Sequence, residues 1–277
     1  MLELSDYILL ALFGSIGAFL SGFLGVGGGI VYIPVLDFFL SKIGLKNDVL
    51  VKAILANSLF TIIFSGSLSS YKQYKMGNFY PKEILRTAIP GMLSALVLTY
   101  LIKNGDWYSK QIFNYVFALM LFIIVLRMFA KKPLFNAEHN APNWQYATTG
   151  FFAGMVTAFS GLGGGVVMTP LFTDWMKQSI KKASSISNGV IPLFAIVMGV
   201  YNLSSPASEK ISDYQIGNIF LPVVFPMILA TFIFAPFGVK MAQKASQKTI
   251  RLVFASFVSL VFFKLLFEIL KNLNVIS

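Results

Sequence analysis

Two glycine strings of matching design offer the clearest chemistry in this chain: Gly25-Val26-Gly27-Gly28-Gly29-Ile30-Val31-Tyr32-Ile33-Pro34 and Gly161-Leu162-Gly163-Gly164-Gly165-Val166-Val167-Met168-Thr169-Pro170. Neither is a nucleotide fingerprint. G-x-G-x-x-G needs glycine where Ile30 stands, and no Gly-Lys-Ser or Gly-Lys-Thr follows. A glycine cluster opening a helix lets the chain take left-handed turns and presents bare N–H groups at the positive end of the helix. Such a nest binds anions. Gly25, Gly27, Gly28 and Gly29, with Gly161, Gly163, Gly164 and Gly165, are therefore candidate anion ligands. Pro34 and Pro170 fall within the helices that follow, each removing one backbone donor. The competing use of such glycines is close helix crossing, where small residues let backbones approach.

The next apolar segment of each half adds neutral polar groups. Asn57, Thr61 and Ser65 lie four apart and share a helix stripe with Ser58 beside it; Ser184 and Asn188 repeat the spacing, with Ser187 adjacent and Pro192 one turn on. Donors without a basic side chain suit an anion that must bind and then leave; interhelical hydrogen bonding is the other use. Asp37 and Glu268 are candidate proton carriers, because ionisable groups within apolar segments are functional by default. Glu268 also sits four residues from Lys264 and can pair with it, while Arg127 can snorkel from a segment end. His139 lies beside Glu138 in a polar stretch, and the chain has one His and no Cys, which excludes disulfide scaffolds, thiolate metal sites and multi-His zinc. No cofactor or metal is expected. Asn202-Leu203-Ser204 matches a glycosylation sequon, too short a pattern to weigh.

The elements that must position these groups follow from composition. Apolar residues make up 56% of the 277 and charged ones 12%, about half the ~25% of a soluble domain, and mean hydropathy is +0.75. The excess of 22 Lys and Arg over 11 Asp and Glu interrupts long apolar runs instead of forming one solvated face, so nucleic acid is not the expected partner. The lipid bilayer is. Apolar stretches fall at about 7–24, 28–41, 50–71, 84–102 and 110–130, then at 144–160, 164–176, 183–203, 216–239 and 249–270. Most approach the ~20 residues a spanning helix needs, but 28–41 and 164–176 are short and directly follow the glycines. The N-terminus carries acids where a signal peptide is basic, so the first run is expected to be retained.

The halves are copies. The glycine strings are 136 apart, Tyr74-Lys75-Met76-Gly77-Asn78 returns as Tyr214-Gln215-Ile216-Gly217-Asn218, and Pro90 and Pro226 are again 136 apart. Residues 1–130 form a first membrane repeat, 131–143 a polar cytoplasmic connector and 144–277 a second repeat. With five segments per half and both termini outside the cytoplasm, inner loops carry Lys72, Lys75, Lys82, Arg86, Arg127, Lys131, Lys132, Lys177, Lys181, Lys182, Lys240, Lys244, Lys248 and Arg251. Outer loops carry half as many: Lys42, Lys46, Lys52, Lys103, Lys110, Lys210 and Lys271. The positive-inside rule thus favours an odd repeat, which must be inverted. The expected fold is an all-α polytopic membrane protein of two inverted repeats. Each Gly-linked pair is either a re-entrant hairpin or a pair of helices broken at the glycines.

The paired Gly-x-Gly-Gly-Gly-x-x-x-x-Pro strings, one near the start of each half, resemble the TauE/SafE sulfite exporter family over essentially the whole chain. Ser187-Asn188-Gly189 departs from the duplicated plan, since it does not copy Asn57-Ser58 in register with the glycines. The resemblance implies a secondary transporter in a bacterial or archaeal inner membrane that exports sulfite or an organosulfonate, with no catalytic role. From the residues, the expectation is a small anion held near the midplane between the glycine turns and moved by alternating access, with proton coupling open. An anion channel along the same glycine-lined path is the alternative. Oligomeric state is not legible in the sequence.

Overall fold

The computed structural model describes residues 2–105, 107–129, 141–204, 213–246, 252, 256, 258–263 and 265–267. Glu268, Lys264, His139 and most of the polar connector lie outside the described residues.

The first half runs α1 (Leu4–Leu24), α2 (Gly29–Lys42), α3 (Asn47–Lys75), α4 (Pro81–Asn104) and α5 (Lys110–Phe129). The second runs α6 (Asn143–Ser160), α7 (Gly165–Pro170), α8 (Ile180–Leu203) and α9 (Leu221–Lys244), and the described residues from Val258 to Phe267 add an apolar helical stretch, α10. Among the described residues, α1, α3, α4, α8 and α9 are long and apolar enough to cross a membrane. A short antiparallel ribbon, β1 (Gln215–Ile216) with β2 (Ile219–Phe220), precedes α9. The apolar run from 216 predicts helix there. Gly217 at φ +56° turns the ribbon, and the helix starts only at Leu221, with Pro222 in its first turn.

Polarity is arranged for lipid. Leu85, Ile89, Leu93 and Val97 recur every fourth residue on α4 and are exposed, as are Phe225, Leu229 and Phe232 on α9. Continuous apolar stripes of that kind are aggregation surfaces in water and ordinary surfaces in a bilayer. The buried interior holds the polar groups: Asn57, Ser58, Thr61, Ser65 and Ser69 of α3 are all at 0% exposure.

Each glycine-linked pair is a hairpin that returns to its own starting level. α1 ends at Gly25, left-handed at φ +69°, and α2 runs back until Lys42 Nζ meets Asp6 Oδ1 at 2.8 Å. α6 ends at Gly161, φ +68°, and the returning strand of helix brings Trp175 edge-on to Trp144 at 5.3 Å, with Gln178 donating to the Tyr146 hydroxyl. The two prolines act differently. α2 passes through Pro34 unbroken, whereas α7 gives way after Pro170 to a π-helical turn, Leu171–Trp175.

Packing partners exchange between the halves. α1 packs most extensively along α9, α4 along α6, and α3 against α8. α3 and α8 run antiparallel, since Gly66 abuts Pro192 while Gly199 abuts Ile63. Gly14 faces Met227 on one flank and Gly150 faces Thr87 on the other. The first member of each pair is separated by 136 positions, the second by 140. Pro90 and Pro226, 136 apart, are therefore not counterparts in the folded register, although their spacing in the sequence suggested it.

Candidate functional site: the meeting of two glycine turns

The two turns touch each other. A Cβ built on Gly27 would lie 2.9 Å from the Leu162 carbonyl oxygen and 3.7 Å from Gly163 Cα, and one on Gly29 would lie 2.7 Å from Leu162 Cα. Ile191 and Ile62 close over Gly163 at 3.3 and 3.5 Å by the same construction. Those isoleucines sit at the middle of α8 and α3. The turns therefore meet at mid-length of the central antiparallel pair.

Their backbone donors are unspent. Gly25 N–H bonds Ser21 and Gly161 N–H bonds Thr157, closing α1 and α6. The N–H groups of Gly27, Gly28 and Gly29, and of Gly163, Gly164 and Gly165, donate no hydrogen bond among the described residues. These are the orphan donors that open every helix. Here they are crowded at two helix starts deep in the protein, where an unmet donor costs roughly 1–3 kcal/mol.

The expected side-chain ligands divide into committed and uncommitted groups. Asn57 Nδ2 donates to Asn218 O at 2.8 Å and to Ala53 O at 2.7 Å, while its Oδ1 accepts from Phe220 N at 2.8 Å. It staples the β1–β2 ribbon to α3. Ser58 Oγ donates to Gly161 O at 2.9 Å, holding the second turn, and Thr61 Oγ1 donates back to Asn57 O. Ser187 lies 3.3 Å from Thr169, whose hydroxyl reaches Gly25 O at 3.4 Å. Asn188 is different. It is at 0% exposure, and neither Nδ2 nor Oδ1 has a partner. It sits on the α8 face between Ser184, which abuts Gly25, and Ile191, which covers Gly27. The Ser184 hydroxyl is likewise buried and unpartnered.

Register explains the departure at Ser187-Asn188-Gly189. Ser185 Oγ donates to Asn78 O as Asn57 does to Asn218 O, so Ser185, and not Asn188, stands where Asn57 stands in the other half. Asn188 falls one turn nearer the centre. Two further residues at the site, Tyr32 and Thr169, lie inside the glycine-to-proline strings. Tyr32 is fully buried against Gly17 and Gly28, its hydroxyl facing Ser65. Aromatic and hydroxyl residues in so apolar a run were the available signal.

Of the charged candidates, Asp37 is away from the turns and paired with Lys110 of α5 at 2.5 Å. No group of three or more His, Cys, Asp or Glu suited to a metal occurs among the described residues. Asn202 of the sequon is 6% exposed and donates to Met198 O within its own helix.

Comparison with known proteins now decides the family: residues 10–265 match the family described as "Sulfite exporter TauE/SafE". The chain belongs to the sulfite exporter TauE/SafE family. Its relatives carry the same type of name. A "Probable membrane transporter protein" of Haemophilus influenzae is 26% identical over 263 residues, covering 92% of this chain and 96% of that one. Another from Methanocaldococcus jannaschii is 25% identical, covering 90% and 91%, and one from Bacillus subtilis is 23% identical, covering 95% and 98%. No solved structure matches the chain. The TauE/SafE assignment makes this a multi-pass protein of a membrane transporter family, with lipid around it and a small substrate to carry.

Proposed function

We propose that the chain is a secondary transporter of a small anion, with sulfite or an organosulfonate as the substrate class, held between the two glycine turns. The observation that carries this is the conjunction at the centre. Unpaired N–H groups of Gly27, Gly28 and Gly29 and of Gly163, Gly164 and Gly165 converge where Asn188, also unpaired, is buried. Donors on two helix starts sum with the positive ends of those helices, and the ligand they complement is an anion. A neutral amide beside them can orient an oxyanion without trapping it as a buried lysine would.

Two features support a carrier over an open pore. The turns are in contact, with Ile62 and Ile191 packed over them, so passage requires the halves to move. The exchange of packing partners and the antiparallel α3–α8 crossing are what two inverted repeats produce, and alternating access follows when one repeat rocks against the other. In this scheme residues 1–130 and 144–277 are the two repeats. The inner membrane is the site of action, both termini lie outside the cytoplasm, and the charge asymmetry of the loops sets that orientation.

The test is uptake or efflux of sulfite and sulfonates by the purified protein in proteoliposomes, with and without a pH gradient. Saturable flux that Asn188→Leu lowers at least tenfold is the expected result. Absence of flux for every small anion tried would sink the proposal, and ohmic single-channel currents would replace it with a channel.

A further inference from the structure

At the end of the bundle where α3 begins and α4 finishes, a small cavity of about 20 Å³ lies under Lys52, Thr99, Lys103, Asn202 and Asn218. That is room for roughly one or two water-sized groups. Its wall also includes Leu55, which touches Gly161, and Ala158 of the last turn of α6. The cavity therefore adjoins the second glycine turn.

Two of its polar groups lack a hydrogen-bond partner. Lys103 Nζ is fully buried and has no hydrogen-bond partner, resting instead 5.4 Å over the Tyr201 ring. Lys52 Nζ donates to the Lys103 carbonyl at 3.2 Å, and both lysines line the cavity. Thr99 Oγ1 is buried and unpartnered as well. Two lysines and a hydroxyl residue line the cavity, and none of its side chains is a carboxylate. A buried ammonium without hydrogen bonds or counter-ion is strongly unfavourable, and an anion between the two lysines would relieve it.

The counterpart position at the opposite end of the bundle lacks these lysines. The 140-residue offset of α4 and α9 places Gln243 at the counterpart of Lys103, and the 128-residue offset of α3 and α8 pairs Gln73 with Tyr201. The geometry keeps the equivalence: Lys103 lies over Tyr201, and Gln243 donates to Gln73 at 3.5 Å. At the counterpart position a neutral glutamine pair therefore stands where Lys103 and Tyr201 meet, although the loops of that end carry more Lys and Arg.

We infer that the Lys52–Lys103 cavity is a second anion site, an antechamber that takes a halide, or seats the oxygens of a small inorganic oxyanion, from one face only and passes the anion toward the Gly161 turn. Binding there stands on the lysines; the role in passage rests on the transporter proposal. Two lysines and a hydroxyl favour a compact, fully ionised anion, and the glutamine pair at the counterpart position gives the carrier a built-in difference between its faces.

The experiment is titration calorimetry of the detergent-purified full-length protein with sodium sulfite at fixed ionic strength, using sodium gluconate as a bulky control. Lys103→Gln, which copies the residue at the other end, and Lys52→Gln are each expected to weaken sulfite binding at least tenfold, while Lys103→Arg retains it. In proteoliposomes Lys103→Gln is expected to raise KM at least tenfold for flux from one face and to leave the other face unchanged. Sulfite affinity unchanged in both glutamine variants, with monodisperse folded protein, overturns the site. So does a symmetrical KM change at both faces for its role as an antechamber. Lysine-dependent binding without any flux keeps the site and refutes the transporter; flux with lysine-independent binding does the reverse.

Discussion

Gly27 and Leu162 bring the two halves of the chain within touching distance, a Cβ on the first falling 2.9 Å from the carbonyl oxygen of the second. Gly27 is also left-handed, at φ +73°. Gly77 shares that conformation, φ +74°, but has nothing within 4 Å of a built Cβ. Alanine at either site carries the ~1–2 kcal/mol of left-handed strain. Only at Gly27 must the opposing backbone move too. Gly27→Ala is therefore expected to lower the melting temperature more than Gly77→Ala and to reduce flux at least tenfold, with Gly77→Ala transporting normally. Thermal melting in detergent and proteoliposome flux on the two variants check this, and equal flux in both would remove the turns from the transport path.

Asn57 and Asn188 make opposite predictions although both are fully buried. Asn57→Leu strands Asn218 O and Phe220 N, which are buried along with it, and is expected to destabilise by about 2–4 kcal/mol from two unmet backbone groups. Asn188→Leu removes an amide that has no partner to strand, so stability is expected to hold or rise while flux falls. Chemical denaturation alongside flux separates the two. A loss of stability in Asn188→Leu comparable to that in Asn57→Leu would show Asn188 to be scaffold.

The glycine strings were legible in the sequence because their function as turns needs left-handed backbone, which leaves glycine as its signature. Helix count and membrane class were legible because lipid demands long apolar runs. Register was not. Tyr74–Asn78 and Tyr214–Asn218 give the correct offset of 140 for α4 and α9, yet Pro90 and Pro226 suggested 136, since proline spacing says where a helix is weakened and not which residue it faces. The pairing of Asn57 with Ser185 was hidden because α3 and α8 follow an offset of 128, and only the carbonyls of Asn78 and Asn218 reveal it. The ribbon before α9 was invisible for another reason: a short apolar run such as Ile219-Phe220-Leu221 fits strand and helix alike.

Lys42 and Asp6 pin the first hairpin where it opens. Asp6 is 4% exposed and its Oδ2 also accepts from Glu3 N at 2.9 Å. Lys42→Met leaves that carboxylate with the Glu3 N–H as its remaining partner, and a lower melting temperature is expected. Asp6→Asn on the same background removes the unpaired charge and is expected to restore much of it. A double-mutant cycle by thermal melting reads the coupling, and strictly additive losses would mean that the two residues do not hold the hairpin together.

Asp37 bears on coupling to protons. Its carboxylate is 2.5 Å from Lys110 Nζ, and both side chains are about three-quarters buried. That contact ties the carboxylate to Lys110 as a structural partner. The pair joins α2, which follows the first glycine turn, to α5, and Lys110 N also reaches Asp48 Oδ1 at 3.3 Å on α3. Asp37→Asn is thus expected to loosen this three-helix junction and lower the melting temperature while the response of flux to an imposed pH gradient stays as in the parent protein. Lys110→Met, which frees the carboxylate, is expected to destabilise more, because it leaves a charge in place of a neutral amide. Flux at a series of internal and external pH values, compared across both variants and Glu268→Gln, makes the distinction. If Asp37→Asn flattens the pH response with folding intact, the ion pair is a switch that opens during transport, and Asp37 carries the proton.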